Sequence, residues 1–310
     1  MIWWAARPRA VGLLALTALP AVPAFGQVRG VYPLGMSATN SGVIAQSGLT
    51  YVNAFLFYKR DQSLGPNGEV VATGSNAVMM DLNTFAWVAK QRLRALGDAK
   101  VSVAATLPIA TNSLSSESAG AISGGGGLAD SYFQLLILGW QLQRADVKAA
   151  YGFLAPTGRF EAGANDNVGN GYWTHCFSAG QTFYLAKNKA TALSAFQLYE
   201  FHTTQEGTDL HPGQTLSLDY SLTHTLPLRA DMSLQLGLVG YNQWQTTDKS
   251  GPGVTPAQAA AHYHVNAIGL GFNVLLPARK VSVGTRYFDE FGGRSTYQGY
   301  SFQITGSITF

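Results

Sequence analysis

Charged side chains are scarce in this chain of 310 residues. Asp, Glu, Lys and Arg make up 12% of the sequence, whereas a soluble domain contains about 25%. The 20 basic residues are nearly balanced by 17 acidic ones, and they form no cluster beyond residue 26. Binding to nucleic acid requires a basic patch that neutralises phosphate groups. We therefore expect no nucleic-acid partner.

Cysteine and the common catalytic motifs are also nearly absent. Cys176 is the only cysteine, which excludes a disulfide within one chain, and we interpret it as a small, inert side chain on a strand. The sequence has neither the Gly-x-Ser-x-Gly elbow of serine hydrolases nor a phosphate-binding Gly-Lys-Ser/Thr motif. His262 and His264 share one face of a strand, but two imidazoles alone are weak support for a metal site. We expect no catalytic residue, no cofactor and no bound metal.

Long apolar runs are confined to the N-terminus. Arg7 and Arg9 precede an apolar stretch at residues 11–19, and Ala24-Phe25-Gly26 supplies small residues at the third and first positions before a cut. This pattern predicts a secretory signal peptide over residues 1–26. No run of 18 apolar residues follows, so we expect no membrane-spanning helix in the mature chain.

Alternation of apolar and polar residues is what the sequence does contain. From Tyr300 to Phe310, the apolar residues Phe302, Ile304 and Ile308 alternate with Ser, Gln and Thr, as in a strand with one apolar and one polar face. Residues 79–93 fit a helix almost as well as a strand. The pattern predicts twelve strands, near residues 49–60, 77–92, 99–109, 130–142, 147–155, 172–186, 190–204, 215–226, 232–245, 266–276, 281–288 and 297–310.

The connections between these strands alternate in length. The short ones lie at residues 93–98, 143–146, 187–189, 227–231 and 277–280. The long ones lie at residues 61–76, 110–129, 156–171, 205–214, 246–262 and 289–296. Bacterial outer-membrane barrels combine short periplasmic turns with long outer loops. The sequence thus predicts an all-β fold, a single up-and-down transmembrane antiparallel β-barrel of about twelve strands over residues 49–310. Residues 27–48 form an N-terminal segment, either periplasmic or a partial plug.

Several polar residues are predicted to face the lumen of this barrel. They are Asp219, Arg286, Gln235, Asn273 and Gln303. A charged side chain on the lipid face would cost about 2–4 kcal/mol at the bilayer midplane, which places Arg286 inside, with Asp219 as a candidate partner. These residues either line a solute path or only brace a narrow lumen, and the sequence leaves both readings open.

Five stretches of the chain resemble the phenol meta-pathway degradation protein family. They are Tyr32-Pro-Leu-Gly-Met36, Pro156-Thr-Gly-Arg-Phe160 followed by Asn167-Val-Gly-Asn-Gly-Tyr-Trp173, Gln181-Thr-Phe-Tyr184, Pro277-Ala-Arg-Lys280 and Arg286-Tyr-Phe288. The resemblance runs from about residue 32 to the C-terminus. It implies an outer-membrane barrel and, by association, uptake of small aromatic or other hydrophobic compounds. It supplies no catalytic residues.

Together these observations predict an exported channel or transporter of the Gram-negative outer membrane. Its expected partners are outer-membrane lipid, lipopolysaccharide and a small hydrophobic or aromatic solute. Two alternatives remain open at this point. One is a barrel enzyme that acts on lipid or lipopolysaccharide, against which the missing nucleophile motif counts. The other is a structural barrel with a closed lumen.

Overall fold

The computed structural model describes residues 29–116, 120–164 and 166–310, so the predicted signal peptide lies outside the described residues. The regular secondary structure of the described chain is almost entirely strand. The strands are β1 (Gly48–Leu64), β2 (Val70–Leu93), β3 (Ala99–Ser116), β4 (Gly120–Leu128), β5 (Ser131–Gln141), β6 (Ala145–Ala155), β7 (Thr174–Tyr184), β8 (Thr191–His202), β9 (Thr215–Arg229), β10 (Met232–Gln245), β11 (His264–Leu276), β12 (Val281–Arg294) and β13 (Tyr297–Thr309). One short helix, α1 (Pro256–Ala260), lies between β10 and β11.

Twelve of these strands form a closed antiparallel ring. Consecutive strands pair with each other, and β3 pairs directly with β5. The first and last strands close the ring, with Thr50 opposite Thr309, and β1 also pairs with β2. Closure leaves the ring without an unpaired edge, as a barrel in lipid requires. The predicted twelve-stranded barrel is confirmed.

The thirteenth strand, β4, lies outside the ring and was not predicted. It forms a hairpin with β3, in which Leu128 pairs with Ile109. The expectation of a loop over residues 110–129 was therefore wrong. Its four consecutive glycines, Gly124 to Gly127, give no apolar alternation from which a strand is recognised. The stretch at residues 79–93, which was ambiguous with a helix, is strand up to Leu93 as part of β2.

Two connections expected to be long are short. β1 continues to Leu64 and β2 starts at Val70, while only residues 295–296 separate β12 from β13. Long connections at the same end of the barrel are residues 156–173, 203–214 and 246–263, and we call this end the long-loop rim. The opposite end, the short-turn rim, contains the turns at residues 94–98, 142–144, 185–190, 230–231 and 277–280. The strict alternation of loop lengths was thus wrong, although the two rims differ as expected.

The two faces of the wall differ in polarity. Along β9, Ser217, Asp219 and Ser221 are buried, whereas Leu222 and Leu226 are exposed on the outer face. Large apolar side chains point outward all round the ring, which is the surface that contact with lipid favours. Within the described part of the chain, no helix has the length and apolar character needed to cross a membrane.

The N-terminal segment, which we define as residues 29–47, runs inside the ring before β1. Leu34 and Ala38 are buried, and they pack in one cluster with wall residues that include Tyr241 and Phe288. The ring of Tyr241 lies 5.0 Å from that of Phe288, measured between centroids. The part of the lumen beside Tyr241 and Phe288 is therefore filled by the N-terminal segment.

Candidate functional site

Two buried carboxylates hold the middle of the N-terminal segment. Glu200 on β8 accepts hydrogen bonds from the backbone N–H groups of Val31 (3.1 Å) and Tyr32 (2.7 Å). Asp219 on β9 accepts one from the Tyr32 hydroxyl (2.6 Å) and others from backbone N–H groups farther along the segment. Hydrogen bonds to a charged acceptor are stronger than neutral ones. The segment is consequently fixed by main-chain contacts that local sequence patterns do not reveal.

A buried ion pair holds the start of the segment. Arg29 contacts Glu290 on β12 through two hydrogen bonds, Nη1 to Oε1 (2.6 Å) and Nη2 to Oε2 (2.9 Å). Glu290 also accepts hydrogen bonds from the Tyr241 hydroxyl (2.8 Å) and the Gly299 N–H (3.0 Å). A buried charge is tolerated only when it is paired and hydrogen-bonded. This cluster meets that condition.

The five predicted lumen residues all face inward and are at least nine-tenths buried, and four of them contact the N-terminal segment directly. Besides Asp219, Arg286 Nη2 donates to Thr39 Oγ1 (2.8 Å). Gln235 exchanges hydrogen bonds with the side chain of Asn40 (3.0 and 3.1 Å). Gln303 Nε2 donates to the Leu34 carbonyl (2.7 Å). Asn273 does not contact the segment in this way; its Nδ2 donates a hydrogen bond to Gln235 Oε1 (3.1 Å). A role of these residues as solute contacts stays a prediction.

Arg286 and Asp219 do not form the direct ion pair that the sequence suggested. Each of the two side chains has hydrogen-bond partners in the segment instead, Thr39 for Arg286 and Tyr32 for Asp219. The direct pairing was wrong because the expectation treated the lumen as empty, whereas segment residues take up the carboxylate oxygens.

A cavity of about 520 Å³ lies on the other side of the lumen, between the segment and the wall of β1–β3 and β5–β8. Tyr32 and Met36 of the segment line it, as do Met80, Tyr132 and Leu198 of the wall. It extends toward the long-loop rim, where residues of the loops before β5 and β7 line it. Its surface is mainly apolar, with aromatic rings and flexible methionines that adapt to ligands of varied shape.

Among the described residues that line this cavity, two carry charged side chains, Lys148 on β6 and Asp130 in the loop before β5. Asp130 accepts hydrogen bonds from the Gly158 N–H (3.1 Å) and from the backbone (2.8 Å) and side chain (2.9 Å) of Asn170. Burial raises the pKa of Asp130, although these N–H donors favour the ionised form. None of the five predicted lumen residues lines the cavity. Lys148 was not among the predicted lumen residues, although alternation along β6 places it on the same, inward face as Leu154.

The histidines lie away from this cavity. His262 Nε2 contacts Asp248 Oδ1 (2.7 Å) at the long-loop rim, and His175 stacks beside Tyr151 on the wall. His202 is buried, with its Nδ1 2.9 Å from Thr174 Oγ1 and its Nε2 3.5 Å from Glu200 Oε2. No described group of three or more metal-ligating side chains forms a candidate metal site.

Structural comparison gives the same architecture. The barrel is similar to an outer membrane channel from Pseudomonas putida F1, with a TM-score of 0.70 and 14% identity, over 87% of this chain and 98% of that one. At this identity the likeness shows the fold alone. The β domain of the Bordetella autotransporter BrkA aligns with a TM-score of 0.49 and 11% identity, over 86% of this chain and all of that one.

Sequence comparison identifies the family. No curated protein matches the chain significantly. A family profile, in contrast, matches residues 60–305, which is most of the barrel. The resemblance read from the sequence motifs is thereby confirmed, and the chain belongs to the family described as "Putative MetA-pathway of phenol degradation".

Proposed function

We propose that the protein is a channel of the Gram-negative outer membrane that takes up small hydrophobic or aromatic compounds. The observation that carries this proposal is the apolar cavity of about 520 Å³ inside the barrel wall. Binding sites for small molecules are concave, mostly apolar and about 300–1,000 Å³ in volume. Membership of the phenol-degradation family and the fold shared with an outer membrane channel support the same function.

The division of the lumen favours a path over a purely structural barrel. Most buried polar contacts of the N-terminal segment are with β7–β13, such as those of Glu200 and Gln303. The space left between the segment and β1–β3 and β5–β8 is the cavity, which a barrel that only needs a rigid interior would fill with side chains. Outside, the belt of apolar side chains suits outer-membrane lipid and lipopolysaccharide as the surroundings, with export through the predicted signal peptide.

We also propose that the barrel has no hydrolytic activity on lipid. The arrangement that most resembles a catalytic triad is Thr174, His202 and Glu200. Thr174 is only 1% exposed, and both Glu200 oxygens accept hydrogen bonds from the N-terminal segment. A nucleophile must reach the substrate, and its base must be oriented by a third group. Burial of Thr174 thus argues against this alternative.

The test uses purified barrel in vesicles whose outer leaflet contains lipopolysaccharide, which slows passive entry of aromatic solutes. Uptake of labelled phenol is compared among wild type, Ala110→Trp and Ala105→Trp. Ala110 lines the cavity, so an indole there should obstruct it and reduce uptake severalfold. Ala105 alternates with lumen-facing Thr106 on the same strand, so its indole should face lipid and leave uptake unchanged.

Three results would contradict the proposal. Uptake that is equal in wild type and Ala110→Trp would exclude the cavity as the path. Folded barrel that leaves the vesicles impermeable would favour the closed structural barrel. Release of fatty acid from phospholipid would favour the enzyme.

A further inference from the structure

Lys148 is the one lysine among the described residues that line the cavity, and its cross-strand neighbours leave it isolated. It pairs with Gly139 on β5 and with Gly180 on β7, and directly paired residues share a face of the sheet. The two glycines present no side chain beside Lys148. The N-terminal segment occupies the space that they leave, with Ile44 against Gly139 and the Ser41 carbonyl against Gly180. Backbone and apolar groups thus surround the base of the Lys148 side chain.

The ammonium of Lys148 has no partner in the described part of the chain. No described carboxylate forms an ion pair with it, and its Nζ makes none of the side-chain hydrogen bonds found there. Asp146, on the same face of β6, accepts a hydrogen bond from the Tyr184 hydroxyl (2.6 Å) instead. Asp130 is occupied by Gly158 and Asn170. Lys148 is partly exposed and lines the cavity, so an anionic ligand that enters there would meet a cation without a partner among the described residues, which opposite charge stabilises.

The remaining lining complements an aromatic ring. Tyr32 and Tyr132 line the same cavity as Lys148, together with the side chains of Met36 and Leu154. Aromatic and methionine side chains pack favourably against a flat ring. A ligand that suits both parts of the cavity has an apolar ring and one anionic group.

We propose that this cavity binds aromatic carboxylates, with the carboxylate on Lys148 Nζ and the ring against Tyr32, Tyr132 and Met36. This inference rests on the proposed function, whose solute it narrows from small aromatic compounds to aromatic acids. A carboxylate on an ammonium forms a charge-assisted hydrogen bond. A neutral alcohol of the same shape leaves the cation uncompensated and binds less tightly. Lys148 thereby acts as the residue that selects acids over neutral aromatics.

The test measures binding by titration calorimetry on folded barrel in detergent at low salt, with benzoate and benzyl alcohol as probes. We expect wild type to bind benzoate more tightly than benzyl alcohol. Lys148→Met should weaken benzoate binding by about tenfold or more, the range of a hydrogen bond between charged groups, and leave benzyl alcohol unchanged. Lys148→Arg should retain most of the benzoate affinity. Lys187→Met removes the same charge from an exposed turn and should have no effect.

Equal affinity of wild type for the two probes, or undiminished benzoate binding by Lys148→Met, would overturn the inference. The preference of wild type for benzoate should also fall as the salt concentration rises. This measurement uses wild type alone, so it tests the inference even if Lys148→Met does not fold. Failure here leaves the proposed function standing if phenol still crosses the vesicle membrane. Conversely, benzoate binding that depends on Lys148 in a barrel that passes neither phenol nor benzoate would overturn the proposed function and keep the acid-binding site.

Discussion

Arg29 and Glu290 form a two-pronged ion pair inside the barrel, with Nη1–Oε1 and Nη2–Oε2 distances of 2.6 and 2.9 Å. Arg29 also donates to the Tyr297 carbonyl and, through Nε, to Thr296 Oγ1 (3.1 Å). The pair joins the start of the N-terminal segment to a strand 261 positions later in the sequence. Planar guanidinium–carboxylate pairs fix orientation as well as distance. Arg29 thus holds the first described residues of the segment beside β12.

Glu290→Gln is expected to release the start of the segment. Removing one charge of a buried pair leaves the other uncompensated, at a cost of about 3–5 kcal/mol. Arg29 is 7% exposed, so trypsin should cleave after it slowly in wild type and much faster in the variant, with the barrel still folded. Glu206→Gln removes an exposed carboxylate and should not change the rate. Equal cleavage in Glu290→Gln and wild type would show that the ion pair does not hold the segment.

Asp219→Asn separates the bracing role of this residue from a solute-lining one. The carboxylate accepts hydrogen bonds from Tyr32, Gly35 and Ser37, and a single amide oxygen replaces it poorly. We expect a loss of roughly 1.5–3 kcal/mol in the free energy of unfolding, measured by urea titration. Asp231→Asn in an exposed turn should lose almost nothing. Altered ion selectivity with unchanged stability would instead identify Asp219 as part of the solute path.

The twelve strands of the ring were predictable because lipid enforces their pattern. Outer positions must be apolar and inner ones are polar, so the alternation in β9, β11 and β13 is visible in the sequence. At the long-loop rim no lipid imposes the pattern. The glycines of β4 and the ends of β1 and β12 therefore carry no signal that separates strand from loop.

The site was less predictable because it depends on which half of the wall the N-terminal segment covers. The hydrogen bonds that hold the segment join residues far apart in sequence, such as Tyr32 and Glu200. Local periodicity contains no information about such pairs. Asp219 and Arg286 were correctly placed on the inner face but bind the segment. Lys148 was overlooked because Ala149 and Ala150 blur the alternation of β6.

Cysteine labelling in intact cells tests the orientation of the two rims. Ala257 is exposed in the loop before β11 at the long-loop rim, and Lys187 is exposed in the turn after β7 at the short-turn rim. We expect Ala257→Cys to react with a membrane-impermeant maleimide and Lys187→Cys to react only after lysis. Wild type gives the background, since Cys176 is buried. The reverse pattern would mean that the long loops face the periplasm.

Gly251 in the same loop is a poorer labelling site than Ala257. Its φ of +140° strains any residue with a side chain, and a Cβ there would lie 2.8 Å from the Asp209 carbonyl oxygen. A labelling failure at Gly251→Cys would therefore not distinguish a distorted loop from an inaccessible one.

Leu270→Arg tests whether the outer face contacts lipid. Leu270 is 51% exposed in the middle of β11, whereas Leu226 is 40% exposed near the short-turn rim. An arginine facing lipid costs about 2–4 kcal/mol at the midplane and about 0–1 kcal/mol near the interface. Leu270→Arg should therefore lower the yield of folded, heat-modifiable barrel in lipid vesicles far more than Leu226→Arg.

The same pair of variants in detergent completes the test of the outer face. Gly269, the neighbour of Leu270, is an unsuitable control because a Cβ there would collide with the Tyr287 carbonyl oxygen. Leu226→Arg introduces the same charge on the same face, so the comparison isolates depth in the membrane. The difference should shrink in detergent, where water reaches a charged group more easily than in a bilayer. Equal folding of the two variants in vesicles would show that Leu270 does not lie at the membrane midplane.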